Sequence, residues 1–102
     1  IGILSAGAPV EMPWLSCCQG LLHGYLAGEG GGGAMLEVVT GRVNPSGKLS
    51  ETYPMTYEDT PAFIFGSGPE DRCEYREGIF TGYRYYDRRE IPVRFPFGFE
   101  NR

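Results

Sequence analysis

Ile1-Gly2-Ile3-Leu4-Ser5-Ala6 is a short apolar run closed by Gly7-Ala8-Pro9. A run of this length, bounded by turn residues, suits a strand buried on both faces, as in a parallel sheet. The next segment decides how that strand is covered. From Pro13 to Leu26 the apolar residues Trp14, Leu15, Cys18, Leu21, Leu22, Tyr25 and Leu26 recur at steps of three and four. The spacing predicts an amphipathic helix, with Pro13 in its first turn and Gly28 at its C′ position. Gly20, Gly24 and Gly28 fall on every fourth position. Each Gly inside a helix costs about 1 kcal/mol relative to Ala, so this stripe predicts a close backbone approach on one face.

Outward from that segment, Glu29–Gly33 is a glycine run that reads as a flexible link between helices. Ala34, Met35, Val38 and Val39 predict a second, shorter helix stopped by Gly41. Asn44-Pro45-Ser46-Gly47 is a turn in which Pro45 sets one φ angle and Gly47 is expected at positive φ. A short strand is expected over Leu49–Tyr53. Tyr57–Arg72 carries Pro61, Gly66, Gly68 and Pro69 and reads as an irregular surface segment. Tyr75–Asp87 is aromatic and β-prone, and Phe95, Phe97 and Phe99 alternate like one face of a strand. The expected class is therefore α/β, in the order strand–helix–helix–strand, followed by an extended aromatic β-rich tail. The division falls into residues 1–68, part of an α/β sandwich, and 69–102, the tail, leading toward a following domain.

At 102 residues the chain has room for one domain. Hydrophobic residues at 41% and charged residues at 22% point to a foldable chain rather than a disordered one. The net charge of −4 argues against a nucleic-acid binder, whose affinity comes mostly from neutralised phosphates. It also supplies no polybasic surface for a membrane of anionic lipids. No apolar run approaches the roughly 20 residues of a spanning helix. Ile1-Gly2-Ile3-Leu4 reads as the middle of a buried strand, and no charged n-region or cleavage site marks a signal peptide. The expectation is a partial chain from a longer protein.

Cys17, Cys18 and Cys73 are an odd count with one vicinal pair, which makes no disulfide framework. His23 is the single histidine. A zinc site needs at least three protein ligands, so no metal is expected and the cysteines read as small apolar fillers. Free thiols favour a reducing, cytoplasmic setting and leave a secreted parent open.

Gly28-Glu29-Gly30-Gly31-Gly32-Gly33 satisfies the dinucleotide pattern G-x-G-x-x-G. The chemistry needs a strand before the glycines, so that the following helix aims its N-terminus at a pyrophosphate. With a helix expected first, and no acidic residue closing a following strand at the right distance, nucleotide binding is rejected and no cofactor is expected. Ser46-Gly47-Lys48-Leu49 lacks the hydroxyl after Lys that a P-loop requires. His23 has no Ser or Cys nucleophile in a recognisable elbow, and Cys17-Cys18 lies in no C-x-x-C loop. Glu70, Asp71, Glu74, Glu77, Asp87 and Glu90, flanked by Tyr75, Tyr83, Tyr85 and Tyr86, are the acids and rings that a sugar-cleaving site uses. Interleaved with Arg72, Arg76, Arg84, Arg88 and Arg89, they read first as ion pairs.

Gly7-Ala8-Pro9-Val10-Glu11-Met12-Pro13-Trp14, the Gly28–Ala34 glycine segment, Val43-Asn44-Pro45-Ser46-Gly47-Lys48-Leu49 and Tyr75-Arg76-Glu77-Gly78-Ile79-Phe80-Thr81-Gly82-Tyr83-Arg84-Tyr85-Tyr86-Asp87 occur in this order, with Phe95-Pro96-Phe97-Gly98 after them. Together they resemble the C-terminal α/β domain of family 3 glycoside hydrolases, the β-glucosidase and β-xylosidase family. The likeness runs nearly end to end. The positions that carry it are Gly7, Pro9, Pro13, Trp14, Asn44, Pro45, Ser46, Gly47, Lys48, Tyr75, Glu77, Gly78, Gly82, Tyr83, Arg84, Tyr85 and Asp87.

The resemblance implies a two-domain enzyme acting on a β-linked saccharide. An N-terminal barrel domain supplies an Asp nucleophile, the α/β sandwich covers the site and supplies a Glu acid/base, and hydrolysis is retaining through a glycosyl-enzyme intermediate. The family's Glu and its Lys-His substrate-binding pair precede the strand ending in G-x-P-V. Residue by residue, then, no catalytic residue carries over to this chain, and its expected role is to scaffold the wall beside the active site. Two departures stand out: Leu26-Ala27-Gly28-Glu29 where the family favours aromatic-Pro-Gly-Gln, and Phe99-Glu100-Asn101-Arg102 where it favours Gly-Leu-Ser-Tyr-Thr. The rival reading is a free-standing carbohydrate-binding or interaction module that uses the aromatic tail.

Overall fold

The computed structural model describes residues 1–65 and 74–100. They fall into two units, Ile1–Gly47 with Glu100, and Lys48–Phe99. The expected division at residue 68, and the glycines, acids, Arg72 and Cys73 around it, lie outside the described residues.

In the first unit, strand β1 (Gly2–Leu4) pairs in parallel with strand β2 (Leu21–His23), matching Gly2 to Leu21, Ile3 to Leu22 and Leu4 to His23. The Gly2 N–H donates to the Gly20 carbonyl at 2.8 Å and the Gly24 N–H to the Leu4 carbonyl at 2.9 Å. The apolar run at the start is thus a strand in a parallel pair, as its composition predicts, but it is not buried on both faces, since Ile3 is exposed. The helix expected over Pro13–Leu26 is not formed. Only a single 3₁₀ turn, Leu15–Cys17, remains of it, and Leu21–His23 is strand. The three-and-four spacing is real but is interrupted at Gly20 and Gly24, where helix is weakest. The backbone groups of residues 20–24 are instead taken up by β1. Of the glycine stripe, Gly24 does meet a close neighbour, the Met35 side chain, while a Cβ at Gly20 would meet open space.

Helix α1 (Gly31–Val39) confirms the shorter helix but starts earlier than expected, because Gly31, Gly32 and Gly33 form its first turn rather than a link. Gly41 ends it as predicted, at φ +74. The Arg42 N–H then reaches the Glu37 carbonyl at 2.9 Å, and Thr40 Oγ1 donates to the Leu36 carbonyl at 2.7 Å. These bonds satisfy carbonyls that a helix end leaves open.

In the second unit, strand β3 (Tyr53–Pro54) pairs antiparallel with strand β4 (Val93–Phe95), with an irregularity between Tyr53 and Pro54. The strand expected over Leu49–Tyr53 therefore narrows to its far end. Leu49 is joined separately: its N–H donates to the Phe99 carbonyl at 3.0 Å and its carbonyl accepts from the Gly98 N–H at 2.8 Å. Tyr57–Asp59 is a 3₁₀ turn opened by a Thr56–Asp59 capping box, and helix α2 spans Pro61–Phe65. The segment read as irregular thus holds two short helical pieces. The Asn44–Gly47 turn does not need its glycine in the expected way, since Gly47 is not at positive φ; Gly78, Gly82 and Gly98 are.

Helix α3 (Tyr83–Arg89) replaces the extended conformation expected at the end of Tyr75–Asp87. Tyr85 and Tyr86 are buried on it, Arg88 and Arg89 sit in its last turn beside the negative end of its dipole, and Glu90 caps it in the left-handed region at φ 55. Aromatic β-propensity mostly reports packing on a half-buried surface, and helical burial of two adjacent tyrosines overrides it here. The core of this unit is Thr52, Tyr53, Pro54, Tyr85 and Tyr86. The Tyr53 ring meets Phe95 edge-on at 6.2 Å, and Phe95 meets Phe99 at 5.0 Å. Phe97 stacks instead on Tyr83, at 5.2 Å. The single face expected for Phe95, Phe97 and Phe99 is therefore not formed: β4 ends at Phe95, and Phe97 leaves the Phe95–Phe99 contact for Tyr83.

Candidate functional site

The motif residues are distributed over both units. Gly7 lies in the bend after β1, where a Cβ would come 3.1 Å from a Leu26 methyl, and Pro9 lies just beyond it. Pro13 and Trp14 lead into the 3₁₀ turn, whose Leu15 N–H donates to the Met12 carbonyl at 3.1 Å. Asn44, Pro45, Ser46 and Gly47 form an exposed loop that ends the first unit, and Lys48 begins the second.

The second unit gathers the rest. Tyr75 is exposed, Glu77 is half-buried, and the Glu77 carbonyl accepts from the Phe80 N–H at 3.0 Å across a turn with Gly78 at φ +57. Gly82, at φ 56 and ψ −132, starts α3, which carries Tyr83, Arg84, Tyr85 and Asp87. That backbone conformation is essentially restricted to glycine, so Gly82 sets the direction in which the helix leaves the turn.

A cleft of about 400 Å³ lies between this turn and the helix, lined by Arg76, Glu77, Phe80, Tyr85, Arg88 and Arg89. Arg76, Glu77, Phe80 and Tyr85 come from the Tyr75–Asp87 motif. Arg88 and Arg89 do not stand out beside it in the sequence, because only a helical period puts Tyr85, Arg88 and Arg89 on one face. Arg76 is engaged with Glu74 in an ion pair. Arg89 holds its guanidinium over the Tyr85 ring at 5.3 Å, and Arg84 does the same over Tyr83 at 5.3 Å. These are cation–π geometries. Tyr85 is 3% exposed, and its hydroxyl has no hydrogen-bond partner among the described residues. Next to it, burial pushes the Tyr86 phenol pKa above its ordinary value, and the neighbouring Tyr85 and Asp59 add to the shift.

The other chemical candidates lie in the first unit. His23 is on β2, where its Nε2–H donates to the Ala6 carbonyl at 3.0 Å and its ring stacks on Tyr25 at 3.8 Å. Cys18 packs beside Gly2 and Cys17 is exposed, and both are free thiols. Among the described residues no group of three or more His, Cys, Asp or Glu could hold a metal ion. No described helix is long and apolar enough to cross a membrane. The glycine run comes after a strand, β2, and opens α1, so the objection that a helix precedes it falls; the missing acidic residue still argues against a dinucleotide.

Residues 1–83 match the family described as the glycosyl hydrolase family 3 C-terminal domain. The chain is 49% identical over 96 residues to a thermostable β-glucosidase B of Acetivibrio thermocellus, covering 94% of this chain and 13% of that protein. It is 40% identical to an exo-α-(1→6)-L-arabinopyranosidase of Bifidobacterium longum, over 95% of this chain and 13% of that one. A crystal structure of β-glucosidase from Kluyveromyces marxianus in complex with glucose superimposes with a TM-score of 0.88 at 39% identity. That match covers 97% of this chain and 12% of the yeast one.

Proposed function

The chain belongs to the glycosyl hydrolase family 3 C-terminal domain family, and on that premise we propose that it works as part of a glycosidase that removes terminal β-linked sugars. The observation that carries this is the 49% identity to a β-glucosidase over 94% of the chain. The chain spans only 13% of that relative, so most of the active site belongs to the remainder of such a protein. In this reading an N-terminal barrel domain supplies the Asp that attacks the anomeric carbon. The leaving-group oxygen takes its proton from a Glu outside this chain, and water then releases the sugar from the enzyme with retention. The chain scaffolds the wall beside that site. The parallel β1–β2 pair with α1 belongs to the second half of an α/β sandwich in this reading.

The scaffolding role is tested by exchange. The 96 matching residues of the Acetivibrio enzyme are replaced by this chain, and hydrolysis of p-nitrophenyl β-D-glucoside is measured. Retained turnover is expected from the exchanged enzyme and none above background from the isolated chain. A folded but inactive exchange enzyme, or isolated-chain turnover that disappears in Glu77→Gln, overturns the assignment. A parallel assay with p-nitrophenyl α-L-arabinopyranoside separates the two activities named for its relatives.

A further inference from the structure

The cleft formed by the turn at Gly78 and helix α3 carries features that no part of the glycosidase reading uses. It is rich in guanidiniums: among the described residues, Arg76, Arg88 and Arg89 line it against a single carboxylate, Glu77. Arg76 is occupied by Glu74. Among the described residues, neither Arg88 nor Arg89 has an ion-pair partner. Adjacent cations repel, so the two guanidiniums favour an anionic acceptor that reaches both.

We propose that this cleft binds a carboxylate, clamped by the guanidiniums of Arg88 and Arg89, with the Tyr85 ring as the platform under Arg89. The guanidinium is a planar fork that matches a carboxylate's two oxygens. Stacking on Tyr85 holds the Arg89 fork in place, which reduces the ordering cost of binding. Glu77 offsets one of the two free positive charges, which suits a monoanion better than a dianionic phosphate. The cleft, at about 400 Å³, has room for more than the carboxylate itself. Phe80, 40% exposed at its edge, offers an apolar face to whatever bears the acid. A free small carboxylate and a sugar acid share this chemistry, and the experiment separates them.

The test is an NMR titration of the exchanged Acetivibrio enzyme, which carries this chain, at constant ionic strength, tracking the arginine Nε–Hε signals. Sodium acetate and sodium D-glucuronate are the probes; D-glucose and sodium chloride are the controls. Saturable shifts of the Arg88 and Arg89 signals are expected with a carboxylate and not with glucose or chloride. The tighter of the two probes identifies the source. Replacing both arginines by Gln is expected to weaken binding about tenfold or more. If the double Gln variant loses its folded spectrum, Arg88→Lys with Arg89→Lys keeps the charges and removes the forks, and weaker binding is again expected. The same titrations read by thermal shift on the exchanged Acetivibrio enzyme do not depend on its catalytic activity, so the two proposals fail separately. Carboxylates that behave like chloride, or variants that bind as tightly as the parent chain, overturn the proposal.

Discussion

The Cβ of Ala27 lies 2.5 Å from the point where a Cβ on Gly31 would stand. Gly31 is buried at the first position of α1, and the neighbour is a backbone-anchored methyl that has no rotamer to move into. Gly32 and Gly33, next along the helix, face open space. Gly31→Ala is therefore expected to destabilise the first unit by about 1–3 kcal/mol, the range for overpacking. Gly32→Ala and Gly33→Ala are each expected to stabilise it by up to about 1 kcal/mol, through helix propensity. Denaturant midpoints of the three variants check the opposite signs.

The turn glycines divide in the same way. Gly82 holds φ 56 and ψ −132, whereas Gly47 is not at positive φ and has no neighbour within 4 Å of a Cβ. Gly82→Ala is expected to cost about 1–3 kcal/mol from backbone strain. Gly47→Ala should stay within about 0.5 kcal/mol of the parent chain, as surface changes do. Equal losses at the two sites would contradict this.

Tyr86 sets an alkaline limit. Its phenol pKa in the folded chain is raised above 10.0 by burial first, then by Tyr85 and Asp59. The unfolded chain then loses this proton before the folded chain does. The contribution to stability is complete below about pH 10 and is lost as pH rises from the unfolded pKa through the folded one. Tyr86→Phe is expected to flatten the fall in melting temperature above about pH 10, measured by circular dichroism against the parent chain.

Large apolar side chains remain open across both units. Among the described residues the buried ones are Met12, Tyr53, Tyr85 and Tyr86, while Ile1 is 79%, Leu26 77% and Ile79 76% exposed. So much unburied surface leaves little to offset chain ordering. The isolated chain is expected to bind an apolar-surface dye and to associate on size-exclusion chromatography. A dye-silent monomer with a sharp melt above about 60 °C would contradict this.

Glu74 and Arg76 belong to the acids and arginines that composition reads collectively as ion pairs, and these two do pair. The same reading expects Arg88 and Arg89 to pair. Their helix instead turns them into a cleft beside Tyr85, a placement that depends on the period of the segment and not on its composition.

The amino-acid order alone carried the first strand, the shorter helix with its Gly41 stop, and the family, whose turn and aromatic motifs run in series along the chain. These signals are local: an apolar run, a helical period, a glycine at a helix end. Tertiary structure decided the rest. Leu21-Leu22-His23 satisfies a helical spacing and a strand equally well, and it became β2 because β1 offered backbone partners from Gly2 to Leu4. Tyr85 and Tyr86 suit a strand by propensity, yet they lie on α3, where both rings are buried. A short segment's own preference amounts to about 1 kcal/mol or less per residue. Burying one large side chain is worth roughly 1.5–3 kcal/mol, so packing partners far along the chain outweigh it.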